Sequence, residues 1–111
     1  MEFGEKLRLL RESRQITQRE LAECLGVSAS YINKVENQKL HFGDYPSEKF
    51  IVKVSAELNA DENELLLLAD KVPEWIRRRI QERPEVFRAV AELDDQRMDR
   101  LWEQLSEEAE P

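Results

Sequence analysis

The residues best equipped for specific contacts lie between positions 29 and 37. On a helix advancing ~100° per residue, Ala29, Ser30, Asn33, Lys34 and Asn37 fall within an arc of about 140°. Ile32, Val35, Tyr31, Glu36 and Ser28 occupy the rest of the projection. One face is apolar or structural, and the other is small and polar and carries a cation. That polar face suits the base edges of a DNA major groove. Small side chains at 29 and 30 allow close backbone approach. Ala29 can touch a thymine methyl and Ser30 can donate to or accept from a base edge, while Asn33 suits adenine N6 and N7 and Lys34 suits guanine O6 and N7. The competing reading is an ordinary solvated helix face. Such a face more often carries Glu with Lys, whereas this one holds no acid.

Other chemistries find little to work with. The single histidine, His41, has no cysteine neighbour and stands in a polar stretch, so neither a metal cluster nor a Ser-His-Asp arrangement is expected. The single cysteine, Cys24, makes no intramolecular disulfide, and nothing clearly electropositive surrounds it, so it is expected to be a partly buried small residue rather than a redox sensor. No glycine-rich phosphate loop is present. The expectation is a protein that is not an enzyme and needs no cofactor and no metal.

An all-α arrangement positions the polar arc. Phe3, Leu7, Leu10 and Arg11 recur at helical spacing over residues 3 to about 14. Thr17 and Glu20 form a capping box ahead of a short helix burying Leu21, Ala22 and Leu25, which Gly26 ends. Ser28 caps the helix that carries the arc, from about Ala29 to Glu36. Residues 37–45 read as a loop in which Phe42 and Tyr45 cover the core, with an arm laid over DNA as the alternative. Ser47 caps a fourth helix burying Phe50, Ile51, Val54 and Leu58. Asp61 and Glu64 open a fifth helix through Leu65–Leu68, preferred over a strand because β-branching is low and no partner strand is available. The leucine run adds apolar surface on every side of its helix, so something must cover it.

Two short helices joined by a glycine-containing turn are the skeleton of a helix-turn-helix, and here the motif is specific. Thr17-Gln18-x-Glu20-Leu21-Ala22, Gly26-Val27-Ser28 and Tyr31-Ile32-x-Lys34-Val35-Glu36-Asn37 resemble the Cro and phage-repressor type helix-turn-helix family, also called the XRE family, over roughly residues 3–70. The resemblance implies five short helices in a lambda-repressor-like domain with helices two and three as the DNA reader. It implies base reading by Ala29, Ser30, Asn33 and Lys34, and a phosphate contact from Gln18, which braces helix three. Asn37 and Lys39 match the backbone-contacting turn, and Thr17, Ser28 and Tyr31 join that DNA-backbone set. Arg11 and Glu36 match an internal salt bridge. Elementary energetics agree with that pair, since a buried arginine is costly without a partner and orients two helices once paired. Two features depart from the family. Gln38 replaces the usual glycine after Glu-Asn, and the segment through His41-Phe42-Gly43-Asp44-Tyr45 is longer than the compact family turn.

The chain divides into residues 1–70, the DNA-binding domain, and residues 71–111, a helical C-terminal extension. In the extension, Pro73, Pro84 and Asp94 or Asp95 each mark a helix start. The last helix carries a stripe of Met98, Leu101, Trp102 and Leu105, and the tail from Ser106 is expected to fray. The stripe is read as a two-fold dimer interface; packing within the subunit and binding of another protein are the alternatives. Arg77-Arg78-Arg79 reads as a solvated face, with Glu74–Arg78 and Arg78–Glu82 as i,i+4 partners.

With 111 residues and a net charge of −7, the whole composition argues against a basic nucleic-acid binder. By segment the conflict dissolves. Residues 1–47 hold seven Lys and Arg against seven acids, residues 48–70 carry −4, and residues 71–111 carry −3. The acid lies outside the reader, which implies few phosphate contacts and weak non-specific affinity. No apolar run approaches the ~20 residues that span a bilayer, and no secretory leader opens the chain, so a cytoplasmic location and no membrane partner are expected. The leading expectation is a dimeric repressor of an operator in double-stranded DNA. The alternatives are an antitoxin-type module, whose C-terminal helices bind a partner while the N-terminal domain autoregulates, and a degenerate helix-turn-helix that binds only protein.

Overall fold

The computed structural model describes residues 1–40 and 46–109, which are all-helical, with no strand among them. The expected cover of the core by Phe42 and Tyr45, and most of the long loop, lie outside the described residues. Eight helices follow in order: α1 Phe3–Ser13, α2 Gln18–Leu25, α3 Ala29–Glu36, α4 Glu48–Leu58, α5 Glu62–Leu68, α6 Glu74–Glu82, α7 Pro84–Ala91 and α8 Asp95–Ala109. They fall into two units, Met1–Pro73 and Glu74–Pro111, with the division three residues later than the expected 70/71 boundary.

The first unit owes its helix ends to local side chains. Thr17 accepts from the Glu20 N–H while the Glu20 carboxylate accepts from the Thr17 N–H, a reciprocal capping box. Ser28, Ser47 and Asp61 each accept from the backbone N–H three residues on. Gly26 ends α2 at φ 71°, the left-handed conformation that costs glycine least. Gln38 takes φ 57° just after α3, in the glycine-like conformation despite its side chain, and Lys39 N–H reaches back to the Lys34 carbonyl at 2.8 Å.

Packing then fixes the reader. α3 lies against α1 and α2, α4 packs on α2 and α5, and α5 also meets α1. Leu7, Leu21, Ile32, Ile51, Val54, Leu58 and Leu65 form the centre of one apolar core. Tyr31 meets the Phe50 ring edge-on at 5.3 Å. α1 and α3 approach so closely at Gly4 that a Cβ there would collide with the Val35 carbonyl oxygen. The leucine run is covered on one side only: Leu65 and Leu66 are buried and Leu68 partly so, but Leu67 stays half exposed.

The second unit is built differently. Pro84 opens α7, and the Asp94 carboxylate accepts from the Arg97 N–H ahead of α8. The first of its helices begins at Glu74, one residue after Pro73. The tail expected to fray from Ser106 instead continues as helix to Ala109, since no helix breaker occurs before Pro111. No residue of α6, α7 or α8 is buried. Among its described residues the ion pairs include Arg78–Glu74, Arg79–Glu82 and Arg83–Glu85, so Glu82 pairs at i,i+3 with Arg79 rather than at i,i+4 with Arg78.

Candidate nucleic-acid interface

The proposed reading face stands on one buried carboxylate. The Glu36 side chain is 0% exposed at the C-terminal end of α3. Arg11 grips both its oxygens, with Nε donating to Oε2 at 2.7 Å and Nη2 to Oε1 at 3.0 Å, and Nη1 donates to the Ile16 carbonyl at 2.8 Å. Gln18 Nε2 adds a bond to Oε1 at 3.0 Å. Helices α1, α2 and α3 are thus tied at one point. Burial pushes the Glu36 carboxyl pKa up. The bonds from Arg11, Gln18 and Arg8, with the Arg11 charge, outweigh that and hold it below the ordinary carboxylate value. The same bond to Glu36 raises the pKa of Arg11 against the opposing effect of its own burial.

Gln18 carries this rigidity outward. Its Oε1 accepts from Asn33 Nδ2 at 3.3 Å while its nitrogen holds Glu36. The Asn33 amide is therefore turned with its nitrogen toward α2, leaving Oδ1 and a second N–H for a ligand. Asn37 Nδ2 donates to the Asn33 carbonyl at 2.9 Å, one turn along the same face. Ser30, Asn33, Lys34 and Asn37 are exposed, and Lys39 follows in the exposed turn. Ala29 is half-buried and packs partly against the core, so it offers only part of its methyl surface.

The remaining residues expected at the DNA backbone have structural duties as well. The Thr17 and Ser28 oxygens accept as helix caps, and each hydroxyl keeps a proton to donate. Tyr31 is half-buried against Phe50. Met98, Trp102 and Leu105 of the α8 stripe are exposed and Leu101 partly so, but they belong to the second unit. Cys24 is exposed rather than partly buried, because it occupies the outer side of α2. A hydrogen bond to the Glu57 carboxylate pushes its thiol pKa up, away from the reactive thiolate.

Two residues of this site escape the sequence reading. Arg8 lies one turn before Arg11 and donates to both Glu36 and Asn37. Its i,i+3 spacing from Arg11 is the signal that points to it. Gly4 looks like a residue unsuited to a helix, and only its contact with α3 explains it. Among the described residues, no cluster of His, Cys, Asp or Glu is arranged to hold a metal ion, and no helix is long and apolar enough to cross a membrane.

Known proteins are similar to this chain. A family model described as a helix-turn-helix domain matches residues 4–71. The HTH-type transcriptional repressor RghR of Bacillus subtilis (strain 168) is 54% identical over 37 residues, 33% of this chain and 27% of that protein. An uncharacterized HTH-type transcriptional regulator, RghRB, of the same organism is 34% identical over 94 residues, covering 82% of this chain and 63% of the relative. The chain thus spans less than two thirds of the length of either relative. No solved structure matches. With the family match covering more than half of the residues, and with the capped α2, the Gly26 turn and α3 in place, this chain belongs to the XRE-type helix-turn-helix family.

Proposed function

We propose that this protein is a sequence-specific DNA-binding transcriptional regulator that inserts α3 into the major groove of an operator. The observation that carries this reading is the bond chain from Glu36 through Gln18 to Asn33, which fixes an exposed, acid-free polar face on a buried support. Fixing the donors and acceptors before binding avoids much of the entropic cost of ordering them. Ser30, Asn33 and Lys34, with the exposed part of Ala29, read bases. Thr17, Gln18, Ser28, Tyr31, Asn37 and Lys39 meet the sugar-phosphate backbone. The protein represses by steric occupation of the operator, a role proposed by analogy with RghR, which is a transcriptional repressor.

The regulator acts as a homodimer joined through residues 71–111. Trp102 is 69% exposed and Leu105 49% on a 15-residue helix. Apolar surface of this kind favours association, and a two-fold pair of readers matches half-sites about one helical turn apart. The same surface supports the second reading, capture of a different protein by α6–α8.

Selection from a random duplex DNA pool, followed by sequencing, tests the first reading; Lys34→Ala and Gln18→Ala should each weaken binding of the recovered duplex at least tenfold. Unchanged affinity in both variants would overturn reading through α3, and recovery of no duplex at all would leave a helix-turn-helix that binds only protein. Sedimentation of the full chain tests the second element. A dimer that Leu105→Asp converts to monomer supports it, and a wild-type monomer at all concentrations overturns it.

A further inference from the structure

We propose that Arg8 is a DNA-phosphate contact at the rim of the α3 face, an assignment that rests on the DNA-binding reading above. Glu36 does not need it. Arg11 already meets both carboxylate oxygens with its side chain only 12% exposed, and Gln18 supplies a further bond. Arg8 approaches the same carboxylate at only 3.4 Å, and its side chain is 42% exposed. Arg11 also has the Glu12 carboxylate at 3.9 Å, whereas Arg8, among the described residues, shares only Glu36 and, as the more exposed of the two, carries the more accessible positive charge.

That charge is aimed. Arg8 Nη2 donates to Asn37 Oδ1 at 2.5 Å, and Asn37 is itself bonded to the Asn33 backbone on the outward arc of α3. The guanidinium therefore lies at the C-terminal edge of the reading face, where a helix seated in the major groove comes nearest the flanking phosphates. Arg8 spends one Nε and one Nη2 donor on these bonds. A guanidinium has five donors, so three remain without a partner among the described residues, in a planar fork that matches two phosphate oxygens. The alternative is a purely structural brace on the end of α3, where a cation also favours the helix dipole.

Salt dependence separates the two. Binding of the selected duplex would be measured over a range of salt concentrations for wild type, Arg8→Gln and Arg8→Lys. Loss of one phosphate contact flattens the slope of log K against log salt by about 0.9. The expected result is that flattening in Arg8→Gln, a several-fold weaker low-salt affinity, an unchanged melting temperature, and the wild-type slope in Arg8→Lys. Should Arg8→Gln unfold, Arg8→Met keeps the aliphatic stem and takes its place. A wild-type slope in the neutral variant overturns the assignment, whatever the affinity, and leaves the DNA-binding reading standing. Failure of wild type to select any duplex overturns both.

Discussion

The two units of this chain spend similar apolar material in opposite ways. Among the described residues of Met1–Pro73, thirteen apolar residues are buried in one core, and every helix presents one face to it. In Glu74–Pro111, three helices carry Trp75, Phe87, Met98, Trp102 and Leu105, yet none of these is buried. The first unit satisfies its hydrophobic surface internally and can hold polar side chains rigidly. The second leaves those side chains exposed, and exposed apolar surface of this kind favours association.

The widest separation of the two units should come from core truncation. Ile51→Ala removes a fully buried side chain and should cost about 2–5 kcal/mol. Trp102→Ala should barely change unfolding of the first unit and should act on self-association instead. Thermal unfolding across a hundredfold range of concentration checks both, and equal losses of stability would erase the distinction. Next comes Arg11→Ala, which leaves Glu36 buried with only Gln18 and Arg8; we expect a loss of about 2–4 kcal/mol in urea unfolding. A melting temperature equal to wild type would mean that the buried pair does not support the reader. Gly4→Ala should follow, at about 1–3 kcal/mol, because α1 must move away from the Val35 carbonyl.

The pH response gives a finer test. Glu36 has its pKa lowered in the folded state, so its contribution is complete above the ordinary glutamate pKa of about 4.3 and fades as pH falls through the lower folded value. The stability gap between wild type and Glu36→Gln should therefore be widest near neutrality and narrow below about pH 4. A gap that widened on acidification would reverse the sign. The smallest effect is expected at Gln38. The left-handed conformation costs a non-glycine residue ~1–2 kcal/mol, and glycine's extra unfolded-state entropy returns ~0.5–1. Gln38→Gly should thus stabilise by roughly 0.5 kcal/mol, and a loss of stability would show that the Gln38 side chain contributes contacts of its own.

How much of this was legible in advance depended on whether the cause was local. Caps announce themselves within four residues, so Thr17-Glu20, Ser28, Ser47 and Asp61 could be read directly, as could the helical period of Leu21, Ala22 and Leu25. Exposure was harder. Cys24 sits among polar neighbours on α2 and turned out exposed, and Leu67 shares a run with buried Leu65 and Leu66 yet faces outward. Residue type does not say which side of a short helix finds a neighbour. The Arg79–Glu82 pair in place of Arg78–Glu82 has the same origin, since several spacings compete on one exposed helix.

The sequence alone determined the helical class, the helix ends, the turn at Gly26 and the acid-free arc on α3, because each follows from neighbours along the chain. Tertiary structure decided what that arc rests on. Only packing brings α1, α2 and α3 together at Glu36, lets Gln18 turn the Asn33 amide, requires a glycine at position 4 and swings Arg8 onto Asn37. Those contacts join residues 15 to 31 positions apart, and their energies depend on burial, which no local pattern specifies.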